Sequence, residues 1–256
     1  MKKQEERLIN IITDNELSVF DINSLKEFTG KDYVHLRTEL RNLLNDGQIN
    51  SIEKGLYCIR NFRNPYVIAN ELMADSAIAY WSAMNIHNLT EQIPNTIFSQ
   101  TTGLKQDKEI FNIRFKFVKI KTDKFFGYEY IGFGNEKFKI TDIEKTILDC
   151  FDLPIYSGGY EELIRAFAKT ELNGKKLLEY GLKMNNLSVL KRLGYLSELF
   201  GKTRLKSFQA GVIKHLNQKY TLLDPSGEDT GEFISKWKIR LNISEDKLLD
   251  IVKKIY

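Results

Sequence analysis

Between Glu5 and Thr13 the apolar residues Leu8, Ile11 and Ile12 recur at the spacing of one helical face. A second, shorter helix is expected over SLKEFTG, capped by Asn23 or Ser24 and ended by Gly30. In YVHLRTELRNLLN a step of about 100° per residue gathers Tyr33, Leu36, Leu40, Leu43 and Leu44 into one arc. His35, Thr38, Arg41, Asn42 and Asn45 fall opposite, with Arg37 at the edge and Glu39 and Asp46 off that face. The pattern breaks at Asp46-Gly47 and resumes as QINSI and LYCI, two strands of a hairpin turning on Glu53-Lys54-Gly55, where Gly55 supplies the positive φ. Three helices followed by a hairpin is the element order of a winged helix-turn-helix.

RNFRNPY reads as a connection, and Pro65 suits the first turn of a helix over PYVIANELM. A further helix, YWSAMNIHNL, precedes three β-rich runs, NTIFSQTT, FNIRFKFVKIK and FFGYEYIGFG. In the middle run Ile113, Phe115, Phe117 and Lys119 face one way and Arg114, Lys116, Val118 and Ile120 the other, which predicts a mixed or antiparallel sheet with one face packed. Beyond residue 140 the period becomes helical. Thr141 and Glu144 predict a capping box for DIEKTILDCF, followed by YEELIRAFAK, GKKLLEYGLKM and LSVLKRLGYLSELFG, a strand KWKIRLN and a closing helix EDKLLDIVKKI. The expected architecture is therefore α+β. A winged helix-turn-helix covers residues 1–60, a linker 61–64, and a larger α+β domain with a helical C-terminal part 65–256.

Charge sharpens this picture only locally. The chain of 256 residues carries a net charge of +4, and residues 1–60 hold nine Lys/Arg against ten Asp/Glu. Residues 186–219 hold seven Lys/Arg and the single acid Glu198, a run able to attract phosphate or simply to be solvated. No stretch is apolar enough for a membrane span, MKKQEERLINIITDN lacks the apolar block of a signal peptide, and Cys58 and Cys150 offer no disulfide framework. A cytoplasmic protein is expected.

Catalytic chemistry finds little support. His35, His87 and His215 have no metal-ligand spacing, and no phosphate-binding glycine loop with a lysine is present. Asp142-Ile143-Glu144 has an acid-apolar-acid spacing, which helix capping explains without a metal. Lys145 and Asp149, four apart, suffice as a surface ion pair. Gly132-Phe133-Gly134 reads as a kinked strand edge, and FFGYEYIGFG as a sheet buried under later helices rather than a base-stacking platform. No enzyme activity, metal or cofactor is expected. The polar face of residues 33–45 is the better candidate. Arg37, Thr38, Arg41, Asn42 and Asn45 can donate to phosphates and base edges, Arg41 bidentate to guanine and Asn42 to adenine. Lys54 would meet the backbone or minor groove, with Arg60 and Arg63 as phosphate contacts.

Four stretches, LLNDGQINSIEKGLYCI, YWSAMNIHNLTEQIP, ITDIEKTILDCFDLPIYSGG and VLKRLGYLSELFG, resemble the AbiEi-type antitoxins of bacterial abortive-infection systems. The resemblance implies a winged helix that binds inverted repeats in double-stranded operator DNA and represses its own operon. It further implies a second domain that counters a neighbouring nucleotidyltransferase toxin, the type IV arrangement, without a lasting complex. Carried onto this chain, the DNA role falls on Arg37, Thr38, Arg41, Asn42 and Lys54, and the antitoxic role on a basic face with Lys191, Arg192, Lys202 and Arg204. A monomer off DNA is expected. The alternative is a stand-alone regulator whose second domain senses a ligand or partner.

Overall fold

The computed structural model describes residues 2–253. Its first unit contains α1 (Lys2–Asp14), β1 (Val19–Asp21), α2 (Ile22–Thr29), α3 (Tyr33–Asn45), β2 (Ile49–Glu53) and β3 (Leu56–Ile59). Leu8 and Ile12 of α1, Leu25 of α2 and Leu36, Leu40 and Leu43 of α3 close on one another over Phe20 and Ile49. Each fully buried leucine contributes about 2 kcal/mol, so the arc on α3 fixes which way its polar side points. Asp21 caps α2 by accepting from the Ser24 amide at 2.7 Å, the role expected of Asn23 or Ser24. The helix ends at Gly30 in the left-handed region. α3 closes in a Schellman motif. Gly47 has φ +65°, its amide donates to Leu44 O, and the Gln48 amide reaches back to Leu43 O. The hairpin follows with a bulge between Ser51 and Glu53, and β1, which the sequence pattern did not announce, pairs antiparallel with β3 to give the order β1-β3-β2.

Residues 61–64 are not a free tether. Phe62 is buried beside Ile52, Leu56 and Cys58 of the hairpin in one apolar cluster with Val67, Ile68 and Leu72 of α4 (Pro65–Leu72). The same cluster takes in Ile97, Phe115 and Ile140 of a six-stranded sheet. That sheet runs β6 (Lys108–Ile110), β7 (Ile113–Lys119), β5 (Thr96–Thr101), β4 (Ser76–Ile78), β9 (Phe138–Thr141), β8 (Tyr128–Ile131), with β5–β7 and β4–β9 parallel and the other pairs antiparallel. Its other face is covered by α5 (Tyr80–Ile86), α6 (Ile143–Asp152), α7 (Tyr160–Lys169), α8 (Gly174–Lys183) and α9 (Leu187–Leu199). The protein is α+β with mixed and antiparallel sheets, as its patterning indicated. α10 (Lys206–His215) follows, and β10 (Thr221–Leu222), β12 (Ile239–Leu241) and β11 (Glu232–Ile234) form a third small sheet. α11 covers Glu245–Lys253, and the expected continuation to Ile255 lies outside the described residues.

Several local expectations are corrected. FFGYEYIGFG is not a covered strand: β8 is the outer edge of the sheet, and Tyr130 and Phe133 are 65% and 91% exposed. Asp142, not Thr141, caps α6, accepting from the Lys145 amide at 2.9 Å. Glu144 is thereby free to accept from the Asn173 amide at 2.9 Å and to pair with Lys176, also at 2.9 Å. Lys145 and Asp149 are no surface pair, since their side chains are 0% and 5% exposed and the Lys145 ammonium lies over the Phe126 ring.

Candidate nucleic-acid interface

Burying Leu36, Leu40 and Leu43 inward turns Val34, Arg37, Thr38, Arg41 and Asn45 outward along α3, and all five are exposed. Asp32 sets the start of this helix, its Oδ1 accepting from the Val34 amide at 2.9 Å and the His35 amide at 3.0 Å. These backbone and side-chain hydrogen bonds from His35 hold the Asp32 carboxyl below its ordinary value. Glu39, the one acid within α3, is buried and paired with Lys31, which removes a negative charge from the outer face. Arg37 and Arg41 form no side-chain hydrogen bond or ion pair among the described residues, so both guanidinium groups stand ready for an outside acceptor. Asn42 is half-buried, and Tyr33, expected in the apolar arc, is exposed, its hydroxyl donating to Asn23 Oδ1.

Lys54 at the hairpin tip and Arg60 at its end are exposed. Arg63 is spoken for: its guanidinium lies 4.5 Å from the Phe111 ring centroid and donates to Arg60 O at 3.0 Å and Phe62 O at 2.7 Å. It braces the joint between the two units instead of extending the basic surface. Of the eight residues singled out for DNA, Arg37, Thr38, Arg41 and Asn45 thus share the exposed side of α3, and Lys54 and Arg60 lie on the hairpin.

The second unit holds this surface at two further points. Lys105, at 2.9 Å, and Lys108 both pair with Glu53, the residue before Lys54. Partial burial opposes ionisation of Glu53, but hydrogen bonds and charge from Lys108 and Lys105 outweigh it and keep the carboxyl below its ordinary 4.5. Ser18 donates to Glu136 Oε1 at 2.7 Å, and Asn135 Nδ2 donates to Asn15 O at 2.9 Å. The two contacts bind the turn after α1 to the loop between β8 and β9. Glu53→Gln is expected to cost less than about 1 kcal/mol, because the network is partly solvated. The wild-type contribution is present above pH 4.5 and is lost as pH falls through the lower folded-state value, which denaturant titrations at several pH values would register.

The basic face expected on the second unit is not assembled. Lys191 is 1% exposed and donates to Asn217 Oδ1 at 2.7 Å and to Lys219 O. Arg192 is 7% exposed, its Nε donating to Leu222 O at 3.0 Å and its NH1 to Phe151 O at 3.5 Å. Burial lowers the proton affinity of both. Lys202 is half-buried and donates to Ala168 O and Thr170 O, while Arg204 is exposed and paired with Glu171. The signal lay in VLKRLGYL itself, where apolar residues flank the two cations on every side of the turn, the mark of a buried helix.

The acid pair of α6 is likewise engaged: Lys176 Nζ lies 3.2 Å from Asp142 Oδ2 and 2.9 Å from Glu144 Oε2, and the Tyr180 hydroxyl donates to Asp142 at 3.1 Å. Among the described residues no group of three or more His, Cys, Asp or Glu is placed to hold a metal ion, and no helix is long and apolar enough to cross a membrane.

No family model matches this chain, and no curated protein sequence matches it. Among solved structures it is similar to the Rv2827c protein from Mycobacterium tuberculosis, with a TM-score of 0.67 at 14% identity, over 97% of this chain and 94% of that one. At that identity the likeness is one of fold.

Proposed function

We propose that the first unit is a winged helix-turn-helix that binds double-stranded operator DNA, and that the protein is an antitoxin of the AbiEi type. It would repress its own operon at inverted repeats and counteract a nucleotidyltransferase toxin without a catalytic step, metal or cofactor of its own, as a cytoplasmic protein that is monomeric off DNA. One observation carries the DNA part: Arg37 and Arg41 stand outward, without an ion-pair partner among the described residues, on a helix whose only acid is buried. A major groove admits one helix, and guanidinium groups reach guanine edges and phosphates from it. Lys54 and Arg60 would then follow the backbone on either side. The antitoxic part rests on the resemblance of the sequence to that family.

An electrophoretic shift with the DNA upstream of the gene tests the first part. Arg41→Ala is expected to weaken the complex by at least about 1 kcal/mol, and Lys54→Ala to lower affinity evenly across sequences and flatten its salt dependence. Unchanged affinity in Arg41→Ala would remove α3 from the interface. Co-expression with the product of the neighbouring gene tests the second part. It is best done with the full chain carrying Arg37→Ala and Arg41→Ala, because cutting at residue 65 would strip Ile52, Leu56 and Cys58 from the shared core.

The alternative, a regulator with a ligand-sensing second domain, draws support from a cleft of about 610 Å³ between residues 88–92 and the start of α7. Glu162 lies in it, accepting from Thr90 at 2.5 Å and pairing with Arg165. The absence of a nucleotidyltransferase gene beside this one would favour it.

A further inference from the structure

The outer stripe of α3 contains one residue that does not belong with donors. Val34 is 73% exposed in the first turn, although nothing in the fold requires an apolar side chain there. Thr38, four residues on, stands beside it, and its hydroxyl is already committed, donating to Val34 O at 3.0 Å. With that proton used, Thr38 has no hydrogen left for a base or phosphate; its oxygen can only accept, and its methyl group is its apolar feature. Val34 and the Thr38 methyl therefore make a small apolar row along α3, beside the row of Arg37 and Arg41. A protein partner would be a poor match for so small an apolar area set beside two cations that have no partner among the described residues. In the major groove one base feature is apolar, the C5-methyl group of thymine, and it lies among the acceptors and phosphates that Arg37 and Arg41 would engage.

We infer that Val34 and Thr38 read thymine methyl groups, so that each operator half-site places one or two thymines against the first turns of α3, beside the positions contacted by arginine. This rests on the DNA-binding reading above and gives Thr38 an apolar role in place of the donor role expected from its residue type.

The test uses the full-length protein and its upstream DNA, with the protected thymines replaced one at a time by deoxyuridine. That change removes the methyl group and leaves the hydrogen-bonding edge intact. Wild-type protein is expected to bind about fourfold more weakly at one or two of these positions, the effect of one buried methyl-sized group. Val34→Ala should bind thymine-containing DNA more weakly and become indifferent to deoxyuridine at one of them. Thr38→Ser, which keeps the hydroxyl, should do the same at the neighbouring one. Both side chains are exposed, so thermal unfolding of the variants should match wild type. A sequence-specific complex that tolerates deoxyuridine everywhere, or a Val34→Ala variant that keeps full sensitivity at each position, would overturn the inference while leaving the DNA-binding reading intact. No specific complex with wild-type protein would overturn both.

Discussion

Lys145→Met is expected to destabilise the protein by about 3–5 kcal/mol at neutral pH, measured by chemical denaturation. Lys145 Nζ donates to Asp149 Oδ1 in the interior and lies 5.1 Å from the Phe126 ring centroid. Asp149 Oδ2 has no hydrogen-bond partner among the described residues, so Lys145 provides its principal compensation. Removing the ammonium strands a carboxylate away from water. The double variant Lys145→Met/Asp149→Leu should recover most of the loss, because it removes both charges together.

The cost also depends on pH. Burial pushes Asp149 up from 3.8 to about 6, against the opposing pull of Lys145. A carboxyl raised in the folded state binds a proton that the unfolded chain has released. Its contribution is complete below about pH 4 and is lost as pH rises through about 6. Without Lys145 the folded-state value rises further, so the cost of Lys145→Met should shrink as the medium is acidified from pH 7 to 4. A cost under about 1 kcal/mol that does not vary with pH would mean that water reaches the Asp149 carboxylate.

Arg192→Ala is expected to lower stability by about 3 kcal/mol, whereas Arg204→Ala should stay within about 0.5 kcal/mol. Both residues were expected on one functional face, and their surroundings separate them. Arg192 spans from α9 to Leu222 O and Phe151 O, and its stem packs in the core, so truncation leaves buried carbonyl groups unpaired and a cavity behind. Arg204 pairs with Glu171 in solvent. If the proposed toxin antagonism is lost in Arg192→Ala, that loss should therefore be accompanied by loss of folded protein, visible as a lowered melting temperature. Normal melting with lost antagonism would return Arg192 to a functional role.

Elements with a clear apolar period were legible in advance. Leu36, Leu40 and Leu43 announced α3 and its buried side, and Phe115 and Phe117 announced the packed side of β7. Three-residue strands such as β1 and β6 are too short to show any period, and they exist because a longer neighbour offers them a pairing edge. α10 also escaped notice. Of its ten residues only Phe208 and Val212 are buried, while Gly211 fits under Leu178, where a Cβ would lie 2.2 Å from Leu178 Cδ2. The donors of the candidate interface were found because polarity opposite a leucine arc is a local property. That Arg63 and Thr38 are not free donors depends on Phe111 and on a backbone carbonyl, which composition does not reveal.

By itself the sequence determined which side of each periodic helix and strand turns inward, because burial of apolar surface depends on residue type and spacing within a few turns. Only the tertiary structure decided the fate of the charges. Lys191 and Arg192 went inside because acceptors from distant segments converge on them, and Lys145 went inside together with Asp149 because α6 turns both toward the interior, while Arg37 and Arg41 stayed in water with no such acceptor among the described residues. A cation's partner is set by proximity in space, and proximity in space is what a linear pattern does not carry.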